Sequence, residues 1–357
     1  MAVVKVPITR SVKGHKALRE ALRDTTTYSS DLQGDADVRD YRQLPLEVDP
    51  PKHHAYRAAL APYFVKPYVD RFSDSFSKNS DALIKSYFTN ENISQRDVTT
   101  HLALPLVMHN LGSFYRRPQD VEEWISWGAD VWTATGKNRD GSVLHAYLDR
   151  IYEEALSSPQ DDIWSELAQL EVDGKVISPI EFRGIAGIML AGGRDTVVKL
   201  LTGMVWHFGN HPADLEWLKN EPQYLDSAVN EFLRYLTPNT GMARTTTPET
   251  GATDLPADRY VNMNFFSGNF DPEVYPNPGE IDLKRARNPH LSFGFGPHTC
   301  IGNHLAENEA KIFLQELINS EKKWQISSTS EISFYEGELS QVPAHFNTLY
   351  IYQMEER

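Results

Sequence analysis

Ser178-Pro179-Ile180-Glu181 opens a helix with unusually clear signals, and the next stop signals come at Gly209-Asn210-His211-Pro212. The serine can cap the amide three residues on while Glu181 returns a bond to the serine amide, and proline in the first turn gives up no needed donor. Glycine, asparagine and proline end it. The span predicts one helix of about thirty residues, roughly 45 Å long, which must run through the body of a domain.

The rest of the chain has to be arranged around that rod. Helical periodicity recurs over Lys13 to Asp24, Lys52 to Phe64, Ser75 to Tyr87, Asp97 to Leu111, Pro118 to Thr133, Ser142 to Leu156, Asp161 to Leu170 and Ile301 to Ile318. Asp49-Pro50-Pro51 punctuates the start of one of these, because proline fixes φ and suits a first helical turn. The stretch from Thr25 to about Val48 is turn-rich without a period, and Thr135 to Gly141 (TGKNRDG) reads as the most mobile connection. Strand patterns are short and late: Arg259 to Phe266, Glu331 to Phe334 and Phe346 to Tyr352. No repeat or low-complexity linker marks a seam, so residues 1–357 read as one large, mainly α domain with small β-sheets at the side.

Charge and cysteine usage exclude several roles. With 49 acidic and 35 basic residues the net charge is −14, which argues against nucleic acid or an anionic membrane as the main partner. The first residues carry no apolar leader, and no segment approaches the roughly 18 apolar residues that a membrane span needs, so a soluble cytoplasmic protein, expected as a monomer, is the reading. One cysteine rules out an intrachain disulfide.

That cysteine, Cys300, lies in FGFGPHTCIG. A lone cytosolic cysteine is by default a small buried hydrophobe. Here glycines at 294, 296 and 302 let the backbone turn and approach a flat object closely, and the helix that follows begins at the sulfur. Its unpaired amides and positive dipole end favour thiolate over thiol, a preformed anionic ligand.

Phe293, Gly296, His298, Cys300 and Gly302 resemble FxxGx(R/H)xCxG, the haem-binding loop of the cytochrome P-450 superfamily. The resemblance implies that Cys300 is the proximal ligand of haem iron, its thiolate promoting O–O cleavage on the other face. His298 stands where most members carry Arg, so its propionate contact would depend on pH. Three further stretches agree. Glu231 and Arg234 in EFLR match the ExxR pair behind the haem; Gly192, Gly193, Asp195 and Thr196 in GGRDT match (A/G)Gx(D/E)T; His53 and Arg57 in DPPKHHAYR match DPPxHxxxR.

By that resemblance the fold is the cytochrome P-450 fold with its long central helix over haem b. The two glycines leave room for O2, and Asp195 and Thr196 are the acid and alcohol that pass protons to the distal oxygen. His53, Arg57, Arg244 and His290 join His298 around the propionates. The same family usually has a few dozen more residues at its front.

The substrate pocket implied by the family runs along the loop Arg39 to Leu46, a tryptophan-bearing helix, the long helix and the C-terminal turn. It nominates Tyr41, Arg42, Trp132, Ile188, Ala191, Thr240, Met242, Glu338 and Leu339. Two classes stay open: a polar methoxylated compound such as an O-methyl sugar, if Arg42 or Glu338 points inward, and a terpenoid-like lipophile. The chain has no flavin or nicotinamide fingerprint, so the resemblance implies electrons from NAD(P)H through a ferredoxin reductase and ferredoxin. Lys52, Lys66, Arg71, Lys284, Arg285, Arg287, His298 and Lys311 would form the basic docking face. The alternatives are a haem-thiolate peroxygenase or isomerase and a non-catalytic haem-binding sensor.

Overall fold

The computed structural model describes residues 10–31, 41–132, 141–246 and 260–354. Arg39, Thr133, residues 135–140 and Arg259, named above, lie outside the described residues. In chain order the elements that place the site begin with β1 (Arg10–Val12), α1 (His15–Ala21), β2 (Tyr28–Ser29) and α2 (Lys52–Leu60). They continue through α3 (Ser73–Phe88), α4 (Leu104–Phe114), α5 (Val121–Ser126), α6 (Ala129–Trp132), α7 (Ser142–Ser157) and α8 (Ile163–Ala168). Next come α9 (Pro179–Gly192), α10 (Asp195–Asn210), α11 (Pro212–Asn220), α12 (Leu225–Leu236), β3 (Met242–Thr246), β4 (Tyr260–Met263) and α13 (Phe265–Asn269). The chain closes with α14 (Asn303–Asn319), β5 (Trp324–Ile326), β6 (Glu331–Phe334), β7 (Pro343–Thr348) and β8 (Ile351–Gln353).

The start signals at Ser178 act as their chemistry requires. The Ser178 amide donates to Glu181 Oε2 at 2.8 Å, and the Glu181 amide donates back to Ser178 Oγ. The predicted thirty-residue helix is nevertheless two helices in line. Gly192 and Gly193 weaken the ladder, Arg194 takes ψ −77° against about −42° in a regular helix, and its amide reaches back three residues to the Ala191 carbonyl at 3.4 Å. Thr196 Oγ1 spans the break by donating to the Gly192 carbonyl at 3.2 Å.

Three other boundaries differ from the periodicity. The helix expected over Pro118 to Thr133 is interrupted at Trp127, whose backbone is extended (ψ 130°). The strand expected to reach Phe266 stops at Met263, because Asn264 caps α13 by accepting the Ser267 amide at 3.0 Å. FNTLYIY divides between β7, paired with β6, and β8, paired with β5. Leu349 between them is buried, its amide held by Asp97 Oδ1 at 2.6 Å.

The core is one large apolar cluster through which α9 and α10 run, with Leu190, Leu201, Met204 and Phe208 almost fully buried. Trp324 on β5 closes it by donating Nε1 to the Val205 carbonyl at 2.9 Å. A smaller cluster joins Leu18 of α1 and Leu22, just after it, to Val261 and Met263 of β4. It sits on the four-stranded sheet in which β1 runs parallel to β4, β3 antiparallel to β4, and β2 antiparallel to β3. That sheet fixes Arg244, opposite Val261, at one edge of the main cavity.

Candidate active site

A cavity of about 410 Å³ is walled by Cys300 and its loop, by Gly192, Gly193, Asp195 and Thr196 at the α9–α10 break, and by His53, Arg57, Arg244 and His298. Three of the four sequence motifs, up to 250 residues apart, therefore border one cavity. Leu44, Leu46, Phe64, Ile188, Ala191, Leu200 and Met242 make most of the remainder apolar.

The cysteine loop is shaped by its glycines. Gly296 holds φ +76°, and a methyl there would lie 2.7 Å from the Leu22 carbonyl oxygen, so only glycine permits the turn. The Cys300 amide donates to the Phe293 carbonyl at 2.8 Å, which pins the loop under the cavity. The helix begins at Asn303, three residues after the sulfur rather than at it. Cys300 is accessible, but only to the cavity. Crowding by protein raises its thiol above the usual range, against the opposing pull of the Gly302 amide and of Arg57. The amide at the helix approach thus favours the thiolate while burial opposes it; a bound metal cation would tip the balance, because coordination displaces the thiol proton.

Around the rim, two imidazoles and two guanidinium groups collect, with Asp49 the carboxylate that acts on His53 and Arg244. Burial pushes His53 down to about 4 and His298 to about 3, each also disfavoured by the arginines beside it. Burial lowers Arg57, and brings Arg244 to about 10, where it is still charged. His53 Nδ1 and His298 Nε2 are buried without a hydrogen-bond partner among the described residues. Unpartnered buried imidazole nitrogens beside two guanidinium groups are suited to acidic oxygens, and a haem's two propionates have that chemistry. Over the cavity, a methyl on Gly192 would meet nothing nearer than 3.7 Å and one on Gly193 nothing nearer than 3.4 Å. Packing of the protein does not require those glycines, and both border the cavity.

His290 stands elsewhere. Its Nε2 is 3.1 Å from Asn230 Oδ1 on α12, outside the cavity wall, and burial pushes it down to about 4. Glu231 and Arg234 are fully buried on α12 and bonded at 2.7 and 3.0 Å. Arg234 also donates to the carbonyls of Asn269, Pro278 and Glu280, and Glu231 accepts from Arg285, Asn288 and the Asp282 amide.

Of the nine residues nominated for substrate contact, Ile188, Ala191 and Met242 line the cavity. Tyr41 turns its hydroxyl to His145 at 3.2 Å, and Arg42 pairs with Asp31. Trp132 lies under Arg194, and the Thr240 carbonyl accepts the Phe266 amide at 3.2 Å. Glu338 and Leu339 sit in a short 3-10 turn outside the wall. Each of these six satisfies a local partner or packs away from the cavity. Leu200, four residues after Thr196, does line it, and helical spacing alone would have found it.

Sequence reasoning also missed Glu309. It is fully buried on α14 and lines the cavity, and burial pushes its carboxyl up to about 8 although Asn110 bonds to it. The signal was there: Leu305, Glu309 and Phe313 share one face at a spacing of four, with the acid between two core residues.

Comparison with known proteins closes the identification. Residues 136–343 match the family model "Cytochrome P450". "Probable cytochrome P450 127A1" of Sinorhizobium fredii is 31% identical over 304 residues, covering 84% of this chain and 73% of that protein. The chain belongs to the cytochrome P450 family. This cytochrome P450 is also 29% identical, over 85% of its length and 80% of the relative's, to "Erythromycin C-12 hydroxylase" of Saccharopolyspora erythraea. The solved structure described as "The structure of a carbohydrate active P450" superposes with a TM-score of 0.88 at 31% identity, covering 99% of this chain and 94% of that one.

The protein is thus a haem-dependent monooxygenase of bacterial type with the P450 fold, using haem b and O2 and drawing electrons from NAD(P)H through partner proteins. No helix among the described residues is long and apolar enough to cross a membrane. Of the basic residues expected at a partner-docking face, Arg285 is turned inward to Glu231 at 2.8 Å and His298 faces the cavity. Lys66 pairs with Asp70, Lys311 with Asp226, and Lys284 lies over the Trp217 ring.

Proposed function

We propose that this P450 inserts one atom of O2 into a C–H bond of a small substrate that presents a methyl or methoxyl carbon to the apolar wall, an O-methyl sugar being the substrate class. The observation that carries the reading is the shared cavity: the lone cysteine and the Asp195–Thr196 pair border one cavity lined by Ile188, Ala191, Leu200 and Met242. The likeness to a carbohydrate-active P450 supports the sugar. Hydroxylation of an O-methyl group gives a hemiacetal that releases formaldehyde, so the same chemistry serves demethylation.

In this reading Cys300 binds the iron, and His53, Arg57, Arg244 and His298 hold the propionates. Haem b, once bound, supplies the iron at which O2 is activated. Asp195 and Thr196 pass protons from solvent, and the glycines keep side chains out of the O2 site. Glu231 and Arg234 brace the loop before Cys300. A ferredoxin and its reductase deliver the electrons to the side bearing Lys52, Arg71 and Arg287.

The apolar wall favours a second reading, a terpenoid-like lipophile. Titrating the ferric enzyme with O-methyl sugars and with terpenoids for a low-to-high spin shift separates the two; a shift with lipophiles only, and no formaldehyde from any methoxylated sugar, overturns the first. The reduced CO complex tests the ligand. A Soret band without the red shift of a thiolate sinks the assignment of Cys300.

A further inference from the structure

Adjacent residues on a helix point about 100° apart and do not normally pair. Arg194 and Asp195 do pair, and they do so at the α9–α10 break, where ψ −77° at Arg194 turns the following residue out of regular helical register. The same guanidinium lies over the indole of Trp132 on α6, its carbon 4.7 Å from the ring centroid. The Arg194 side chain is only 14% exposed, while that of Asp195 is 70% exposed and borders the cavity. Trp132 is in turn wedged against Trp127 at 5.1 Å, and Trp127 against Tyr147 of α7 at 5.2 Å. Tyr147 is tied down by its hydroxyl, which donates to Asp120 at 2.8 Å. A cation held between a desolvated aromatic face and a carboxylate has a fixed orientation, and it fixes the carboxylate with it.

We propose that Arg194 is a positioning residue that sets the direction of Asp195, with Trp132 as its anchor, so that the aromatic packing of α6 and α7 behind the cavity determines whether the acid can pass a proton inward. The inference rests on the reading of Asp195 as the proton-passing acid. Arg194 itself does not line the cavity, and acts only through its neighbour. When the acid is misaligned, reduced oxygen leaves as hydrogen peroxide, carrying two electrons and two protons, and product per NAD(P)H falls.

The holoenzyme with its electron donors and a turning-over substrate tests this. Arg194→Met keeps length and loses charge; Arg194→Lys keeps charge and loses the planar stack; Trp132→Phe weakens the face; Asp195→Asn removes the acid. Arg194→Met is expected to lower product per NAD(P)H about 10-fold with a matching rise in peroxide, as misplacement of a catalytic group does. The spin-shift Kd for substrate should stay within about twofold, since the residue makes no substrate contact. Arg194→Lys should recover only part of the loss, and Trp132→Phe should lower coupling in the wild-type background but add nothing to Arg194→Met. A thermal-unfolding cycle of the Arg194 and Trp132 variants, read without turnover, should likewise be non-additive.

If Asp195→Asn uncouples the enzyme and Arg194→Met does not, the positioning inference is wrong and the acid reading stands. If Asp195→Asn leaves coupling unchanged, both fall. Additive effects of Trp132→Phe and Arg194→Met, or a loss of coupling that merely follows a weakened Kd, overturn the link to Trp132 or reduce Arg194 to a structural role.

Discussion

The ring of His298 lies 4.0 Å from that of His53, centroid to centroid, and the two rings share a buried corner with Arg244. Three donors brought this close make a corner suited to an anionic oxygen. Arg244→Ala should speed haem loss to a scavenging globin by about 10- to 100-fold, the range expected for a charge-assisted bond. His298→Ala, which removes a neutral donor, should cost about 10-fold at most. Equal rates in wild type and both variants would show that the propionates lie elsewhere.

Glu231 and Arg234 have no exposed side-chain surface, and Glu231 receives Arg285 as well. Glu231→Gln leaves two guanidinium groups facing a neutral amide in the interior, and should destabilise the protein by about 3–5 kcal/mol in chemical denaturation. Arg285→Ala should lose less, because Arg285 sits at the rim and Arg234 still neutralises the acid.

Glu309 gives a pH dependence of the opposite sign to a paired surface acid. Its folded pKa, about 8, lies above the ordinary carboxyl value, so between roughly pH 4.5 and 8 the native state binds the extra proton. Stability should therefore fall as pH rises through that window and level off above it, by up to about 5 kcal/mol in all. Glu309→Gln should flatten the profile and unfold at a higher temperature than wild type at pH 8.5. A wild-type melting temperature that rises across the same window contradicts the assignment.

Gly192→Ala should separate stability from function. A methyl there meets no protein atom within 3.7 Å and improves helix propensity, so stability should hold or rise by up to about 1 kcal/mol. The same methyl enters the cavity beside Thr196, and turnover with peroxide-free coupling should drop several-fold. A variant as active as wild type would mean that O2 does not bind there.

The sequence by itself determined most of the local structure and the site's parts. Ser178 and Glu181 fixed where a helix must start, because a capping box is local chemistry. Cys300, His53, Arg57 and the GGRDT stretch stood out because glycine, proline and ionisable groups at fixed spacing have few other uses. What only the tertiary structure decided was direction. Two glycines lower the cost of breaking a helix without saying that it breaks, and Arg42, Tyr41 and His290 found partners in Asp31, His145 and Asn230 that are distant in sequence or lie on other elements. A polar side chain goes to whichever partner the packed backbone brings within 3 Å or so, and that choice is made among all the elements at once. For the same reason Glu309, unremarked in its heptad, became a buried acid only when α14 was pressed against α3 and Asn110 of α4 came within reach of it.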